Sequence, residues 1–188
     1  MPGPDADSLS DALAAMKSAT EIVSSVDIDN ALDRMSAEIA AHVADSNPTI
    51  LAVMQGGVFT ATQLCRRFTF PCRFDFVHGS RYGDKLEGSD LNWRVAPSAN
   101  LAGRTVVIVD DILDRGLTLA DLQIQLAEIG VKKAYSAVLV SKRLHESIER
   151  PFVDFVGLQA DDVFLFGCGM DYKGYWRGLS SLFAVTTR

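Results

Sequence analysis

The densest chemistry in the chain lies in Val106-Val107-Ile108-Val109-Asp110-Asp111-Ile112-Leu113-Asp114-Arg115-Gly116-Leu117-Thr118. An unbroken β-branched run ends in two consecutive carboxylates, and Gly116 and Thr118 follow within a few residues. Such a pattern reads as the carboxyl end of a buried strand turning into a helix, the edge at which open α/β sheets bind ligands. Backbone N–H groups at a helix start suit a phosphate; Gly116 permits the tight turn and Thr118 adds a hydroxyl. Asp110 and Asp111 suit the opposite task, accepting hydrogen bonds from sugar hydroxyls or holding water around Mg²⁺. A phosphate cup beside sugar-binding carboxylates asks for a phosphorylated ribose. Helix capping and dipole compensation account for Asp114, but not for paired acids at a buried strand end.

The elements that must hold this elbow follow from periodicity. Residues 1–7 read as a frayed tail, followed by helices near 8–24 and 29–45. In the second, Ile28 staples the entry, Asp29 or Asn30 caps it, and Leu32, Met35, Ile39 and Val43 recur at helical spacing. Asn47-Pro48 stops it. Ile50–Met54 is a short apolar strand that halts at Gln55-Gly56-Gly57, and a helix carrying Phe59, Leu64 and Phe68 succeeds it. Strands are expected at 73–78, 104–109, 134–140, 153–157 and 163–167, with a helix from about Thr118 to Ile129 closed by Gly130. Residues 79–100 read as a long loop or loose hairpin, and the C-terminal segment as irregular. Apolar strands alternating with helices predict an α/β fold, a parallel sheet flanked by helices.

The 188 residues suit one domain, and 48% apolar against 22% charged residues excludes wholesale disorder. A net charge of −6 argues against nucleic acid as the main partner. No apolar stretch approaches the roughly 20 residues that span a bilayer, so no membrane association is expected. The N-terminus lacks a signal-peptide pattern, which predicts a cytoplasmic protein. Cys65, Cys72 and Cys168 form no CxxC pair and read as reduced core residues. His42, His78 and His145 lack metal-ligand spacing, and no GxxxxGK[ST], GxSxG or GxGxxG occurs.

The acidic elbow resembles the phosphoribosyl-diphosphate signature of type I phosphoribosyltransferases. Three further runs extend the likeness: Leu139-Val140-Ser141-Lys142-Arg143, Asp154-Phe155-Val156-Gly157-Leu158, and Phe166-Gly167-Cys168-Gly169-Met170-Asp171-Tyr172-Lys173-Gly174-Tyr175-Trp176-Arg177. They resemble the hypoxanthine-guanine branch of that family, in order, over roughly residues 30–185. The resemblance implies transfer of 5-phosphoribosyl from phosphoribosyl diphosphate to hypoxanthine or guanine, giving IMP or GMP and pyrophosphate, with Mg²⁺ as cofactor. It implies a single domain over 1–188. The core would span about 30–150, and a small hood would combine about 1–28 with 150–188. It also implies a homodimer or homotetramer.

The resemblance assigns roles residue by residue. Asp110, Asp111, Asp114, Arg115, Gly116, Leu117 and Thr118 would bind the ribose phosphate. Asp114 would be the catalytic group, taking the purine imidazole proton or holding the base by a charge-assisted hydrogen bond. Lys142 would meet the purine 6-oxo group, Phe164 would stack on the base, and Leu165 would read its edge through backbone. Asp171 would serve the base site and, with Asp110 and Asp111, Mg²⁺. Gln55-Gly56 would contact pyrophosphate through a peptide that is often cis in the family, and Arg177 would meet the same group. Gln55 stands where better-known members carry lysine. Arg81-Tyr82 falls in the family's mobile loop, where serine usually precedes tyrosine; Arg81 is expected to supply the missing charge. Closure of residues 79–92 would exclude water.

Two other readings share features with the elbow. A phosphoacceptor receiver domain also ends a strand in two aspartates, but too little chain follows Asp154 to complete one. A nucleotide-sensing regulator with the same fold, binding without turnover, would be expected to carry a DNA-binding segment or basic charge.

Overall fold

The computed structural model describes residues 4–81, 91–145 and 147–185. Six strands form the main sheet in the order β4-β3-β2-β5-β6-β7. These are β2 (Thr49–Val53), β3 (Arg73–Arg81), β4 (Leu91–Val95), β5 (Thr105–Leu113), β6 (Lys133–Arg143) and β7 (Phe155–Asp161). All neighbours pair parallel except β4, which runs antiparallel to β3 at the edge. The expected loose hairpin is therefore partly a strand pair, with Gly79 opposite Trp93.

Strand alternation decides what each face buries. Ile50, Ala52, Val107 and Val109 face helices α2 (Ser25–Val43) and α3 (Gly57–Cys65) in one core. Leu51, Val53, Val106 and Ile108 face α4 (Leu117–Ile129), through Leu119, Leu122 and Leu126, in the other. Both faces are covered, which is why β2 and the first half of β5 are apolar at every position but their threonines.

A second sheet of β1 (Ala19–Val23), β9 (Leu182–Val185) and β8 (Leu165–Phe166) joins the two ends of the chain. The expected helix over 8–24 is instead helix α1 (Pro4–Ser18) followed by β1. Residues 4–7, expected as tail, belong to that helix. Thr20, Ile22 and Val23 are β-branched, and their antiparallel partner lies at the far end of the sequence, where local periodicity does not reach. The same pairing places β9 within the segment expected to be irregular.

The start of α2 also differs. Ser24 Oγ accepts from Asp27 N at 3.2 Å and donates to Asp27 Oδ2 at 2.7 Å, a reciprocal cap earlier than Asp29 or Asn30. Ile28 is consequently buried inside the helix rather than stapling its entry. Phe68 lies beyond α3 and stacks on Phe70. β7 starts two residues later than expected and keeps the main sheet growing to Asp161, past the expected core limit near 150.

Candidate active site

β5 does not stop at the acids: it runs on to Leu113, carrying Asp110 and Asp111 within the strand. Both carboxyls lie against the start of α3. A Cβ on Gly56 would sit 1.7 Å from Asp111 Oδ2, and one on Gly57 2.4 Å from the Val109 carbonyl oxygen. Glycine at 57 is therefore required by close approach to backbone, and a side chain at 56 would have to displace the Asp111 carboxylate. Asp110 Oδ1 accepts from Asp111 N and Asp111 Oδ1 from Ile112 N, both at 2.9 Å.

Asp111 is only 8% exposed, whereas Asp110 keeps an edge on the cleft. Burial, reinforced by the neighbouring Asp111, pushes the Asp110 carboxyl well above the usual carboxylate range. Burial also raises Asp111, opposed by its hydrogen bonds with Asp110 and Ile112 N and by the Arg177 charge. The pair thus holds a proton more tightly than two separate carboxyls would.

After β5 the chain turns through Asp114 and Arg115 to Gly116, whose φ of 73° is the left-handed conformation that glycine adopts without strain. The first turn of α4 leaves amides without intrahelical partners. They border a cavity of about 310 Å³ lined by Asp110, Asp114, Arg115, Gly116, Leu117 and Thr118.

A second cavity of about 400 Å³ shares Asp110, Asp114 and Thr118 with the first. Gln55, Gly56, Asp111, Lys142, Phe164, Leu165, Asp171 and Arg177 also line its wall. Eleven of the residues singled out from sequence thus border this one space, and Arg115, Gly116 and Leu117 border its neighbour.

The far wall is held by ion pairs. Lys142 Nζ lies 3.1 Å from Asp162 Oδ1 and 3.4 Å from Asp114 Oδ2. Arg177 Nη2 lies 2.6 Å from Asp171 Oδ1, and its Nη1 donates to the Gly169 carbonyl at 2.6 Å. Gly174 N donates to Asp171 Oδ2, also at 2.6 Å. Phe164 is 51% exposed and meets Tyr172 edge-on, so its ring faces the cleft instead of joining the core. Leu165 buries its side chain, which leaves backbone as the part able to read a ligand.

The cis peptide is the Met54–Gln55 bond, one residue ahead of the expected Gln55–Gly56 peptide. Arg81 ends β3 opposite Leu91. Tyr82 and the rest of the expected mobile loop up to residue 90 lie outside the described residues. The cysteines are free, and burial pushes the Cys65 and Cys168 thiols up to about 12, which keeps both protonated at neutral pH. Among the described residues no helix is long and apolar enough to cross a membrane.

Two residues escaped the sequence reading. Asp162 is one of the acids following β7 and gained no weight from spacing. Arg150, in a polar loop, donates from Nη1 to the Lys142 carbonyl at 2.8 Å and to the Asp114 carbonyl at 3.5 Å, clipping two strand ends together. No local motif marks either residue, because each acts across elements.

Residues 18–173 match the family described as the phosphoribosyl transferase domain. The chain is 27% identical over 156 residues to the hypoxanthine-guanine-xanthine phosphoribosyltransferase of Tritrichomonas foetus, covering 81% of this chain and 84% of that protein. It is 27% identical over 161 residues to the hypoxanthine-guanine phosphoribosyltransferase of Aquifex aeolicus, covering 85% and 90%. A ternary-substrates complex of a mutant hypoxanthine phosphoribosyltransferase from Trypanosoma cruzi superposes with a TM-score of 0.77 at 26% identity, over 88% of this chain and 94% of that one.

Proposed function

The chain belongs to the phosphoribosyltransferase family, and from that premise we propose that it transfers the 5-phosphoribosyl group of phosphoribosyl diphosphate to hypoxanthine or guanine. The products would be IMP or GMP and pyrophosphate. The observation that carries this reading is the single cleft in which Asp110, Asp114 and Thr118 of the elbow face Lys142, Phe164, Asp171 and Arg177.

The acceptor would lie against the Phe164 ring, with the Lys142 ammonium donating to its 6-oxo group; an ammonium has no acceptor for a 6-amino group. The ribose 5-phosphate would occupy the smaller cavity, on the first-turn amides of α4 and the Thr118 hydroxyl. Purine N9 would attack the anomeric carbon as the bond to the pyrophosphate oxygen breaks, through a state with oxocarbenium character. Asp114 would take, or hold by hydrogen bond, the proton at N7. Arg177 and the Gln55-Gly56 backbone would receive the leaving pyrophosphate.

The cleft offers hard oxygen donors, but among the described residues no three acids form a ready metal cluster. That donor set fits Mg²⁺, which uses one or two carboxylates and completes its shell with water and substrate oxygens. Its ligands, direct or through water, would be drawn from Asp110, Asp111 and Asp171, and it would supply positive charge toward the leaving group.

Phe74 and Phe76 lie two apart on β3 and are 47% and 44% exposed, so one face of an outer strand shows apolar rings to solvent. We take a homo-oligomer, dimer or tetramer, to cover them; light scattering on the purified protein would give its mass. A cytoplasmic location accords with this activity. Hypoxanthine or guanine, phosphoribosyl diphosphate and Mg²⁺ should yield the nucleoside monophosphate on incubation with the protein. Absence of nucleotide from both bases would overturn the proposal, and would favour the reading in which the same fold binds nucleotide without turnover.

A further inference from the structure

Lys142 is the least exposed member of its charge cluster: its side chain is 12% exposed, against 61% for Asp162 and 54% for Asp114. The lysine backbone is pinned by Arg150, so the direction of its ammonium is left to the two carboxylates. The other charges nearby are occupied. Asp161 pairs with Arg143 at 2.8 Å, and Asp171 with Arg177. Asp162 follows β7 and lies two residues before Phe164, in the same loop as the exposed ring.

We propose that Asp162 is a positioning residue: it shares the Lys142 ammonium with Asp114, keeps it from settling wholly on that carboxylate, and aims its third N–H at the 6-oxo group of the purine. The inference rests on reading the cleft as a 6-oxopurine site. An ammonium has three donors. Asp162 and Asp114 engage two of them at 3.1 and 3.4 Å, which leaves one for the ligand. Without Asp162, the only carboxylate contacting Lys142 among the described residues is Asp114. The ammonium then settles on Asp114, and its hydrogen bond to the purine 6-oxo group is lost. Exposed ion pairs add little to fold stability, so what the Asp162 contact supplies is direction and not strength.

The test compares Asp162→Ala, Asp162→Asn, Lys142→Ala and the Asp162→Ala/Lys142→Ala double variant in steady-state kinetics. Asp162→Ala should raise KM for hypoxanthine about tenfold, the size of one charge-assisted hydrogen bond. KM for phosphoribosyl diphosphate and the melting temperature should stay as in the wild type. Asp162→Asn keeps an acceptor without the charge and should fall between. In the Lys142→Ala background the second substitution should add nothing further, because its effect runs through the lysine. A wild-type KM for Asp162→Ala, or the same loss in both backgrounds, overturns the inference. Wild-type protein that makes no nucleotide sinks the underlying reading as well; active wild type with an indifferent Asp162→Ala sinks this inference alone. A ligand-free crystal structure of Asp162→Ala should show Lys142 Nζ drawn onto Asp114; an unmoved ammonium also refutes the inference.

Discussion

The two walls of the cleft carry acids in opposite states. On the β5 side, Asp110 and Asp111 crowd each other with no salt bridge among the described residues, and burial raises both. On the far side, Asp171 is neutralised by Arg177 and Asp162 by Lys142, whose ammonium also reaches across to Asp114 of the elbow. The β5 wall therefore holds charge poorly until an external cation arrives. The far wall is already balanced, and a ligand must exchange its partners. Substrate diphosphate with a divalent cation meets the first need, and a neutral base with a hydrogen-bonding edge meets the second.

The sharpest break of this comparison is Asp114→Asn, at the meeting point of the two walls. Turnover should fall by about 10²–10⁴-fold, the range for losing a positioned acid–base group, while phosphoribosyl diphosphate still binds. Single-turnover rates beside equilibrium titration would separate these, and near-normal turnover would remove Asp114 from that role. Next in size is Arg177→Gln, which unbalances the far wall. KM for pyrophosphate in the reverse reaction should rise roughly tenfold or more, with hypoxanthine binding less affected.

Gly56→Ala tests the β5 wall by shape. The new Cβ would overlap the Asp111 carboxylate, so that carboxylate must leave its place or the turn must shift. A cost of about 1–3 kcal/mol is expected, read in denaturant melts, with a loss of activity beyond the loss of folded protein.

Asp110→Asn carries the smallest effect and an unusual sign. The folded state binds the Asp110 proton more tightly than the unfolded chain does, so ligand-free stability falls as pH rises from the ordinary carboxyl value of about 4 through the raised one. Above that window the penalty is complete. The variant should therefore melt higher than wild type at pH 7–8, and the difference should vanish below about pH 4. The same variant should bind the diphosphate substrate with Mg²⁺ more weakly. A lower melting temperature at neutral pH would contradict the charge assignment of the whole β5 wall.

Legibility in the sequence followed locality. The elbow lies within one strand–turn–helix unit, so its acids, Gly116 and Thr118 could be identified from spacing, and α4 closes at Gly130 as expected. The second sheet could not be read in the same way. β1 looked like the tail of a helix because its partner β9 lies more than 150 residues on. Phe164 shows the same limit from the other side: an aromatic beside a strand usually packs inward, and only the resemblance placed it in the cleft, where its ring is exposed.

Side-chain period and turn chemistry, both short-range, were enough for the amino-acid sequence to determine a doubly covered, mostly parallel sheet and an acidic, phosphate-suited elbow at its edge. Tertiary structure alone decided which distant charges meet there: Lys142 between Asp114 and Asp162, Arg177 on Asp171, Arg150 across two strand ends. Ion pairs and hydrogen bonds depend on distances of a few ångströms between elements, and those distances exist only after the two cores have packed and brought the ends of the strands together.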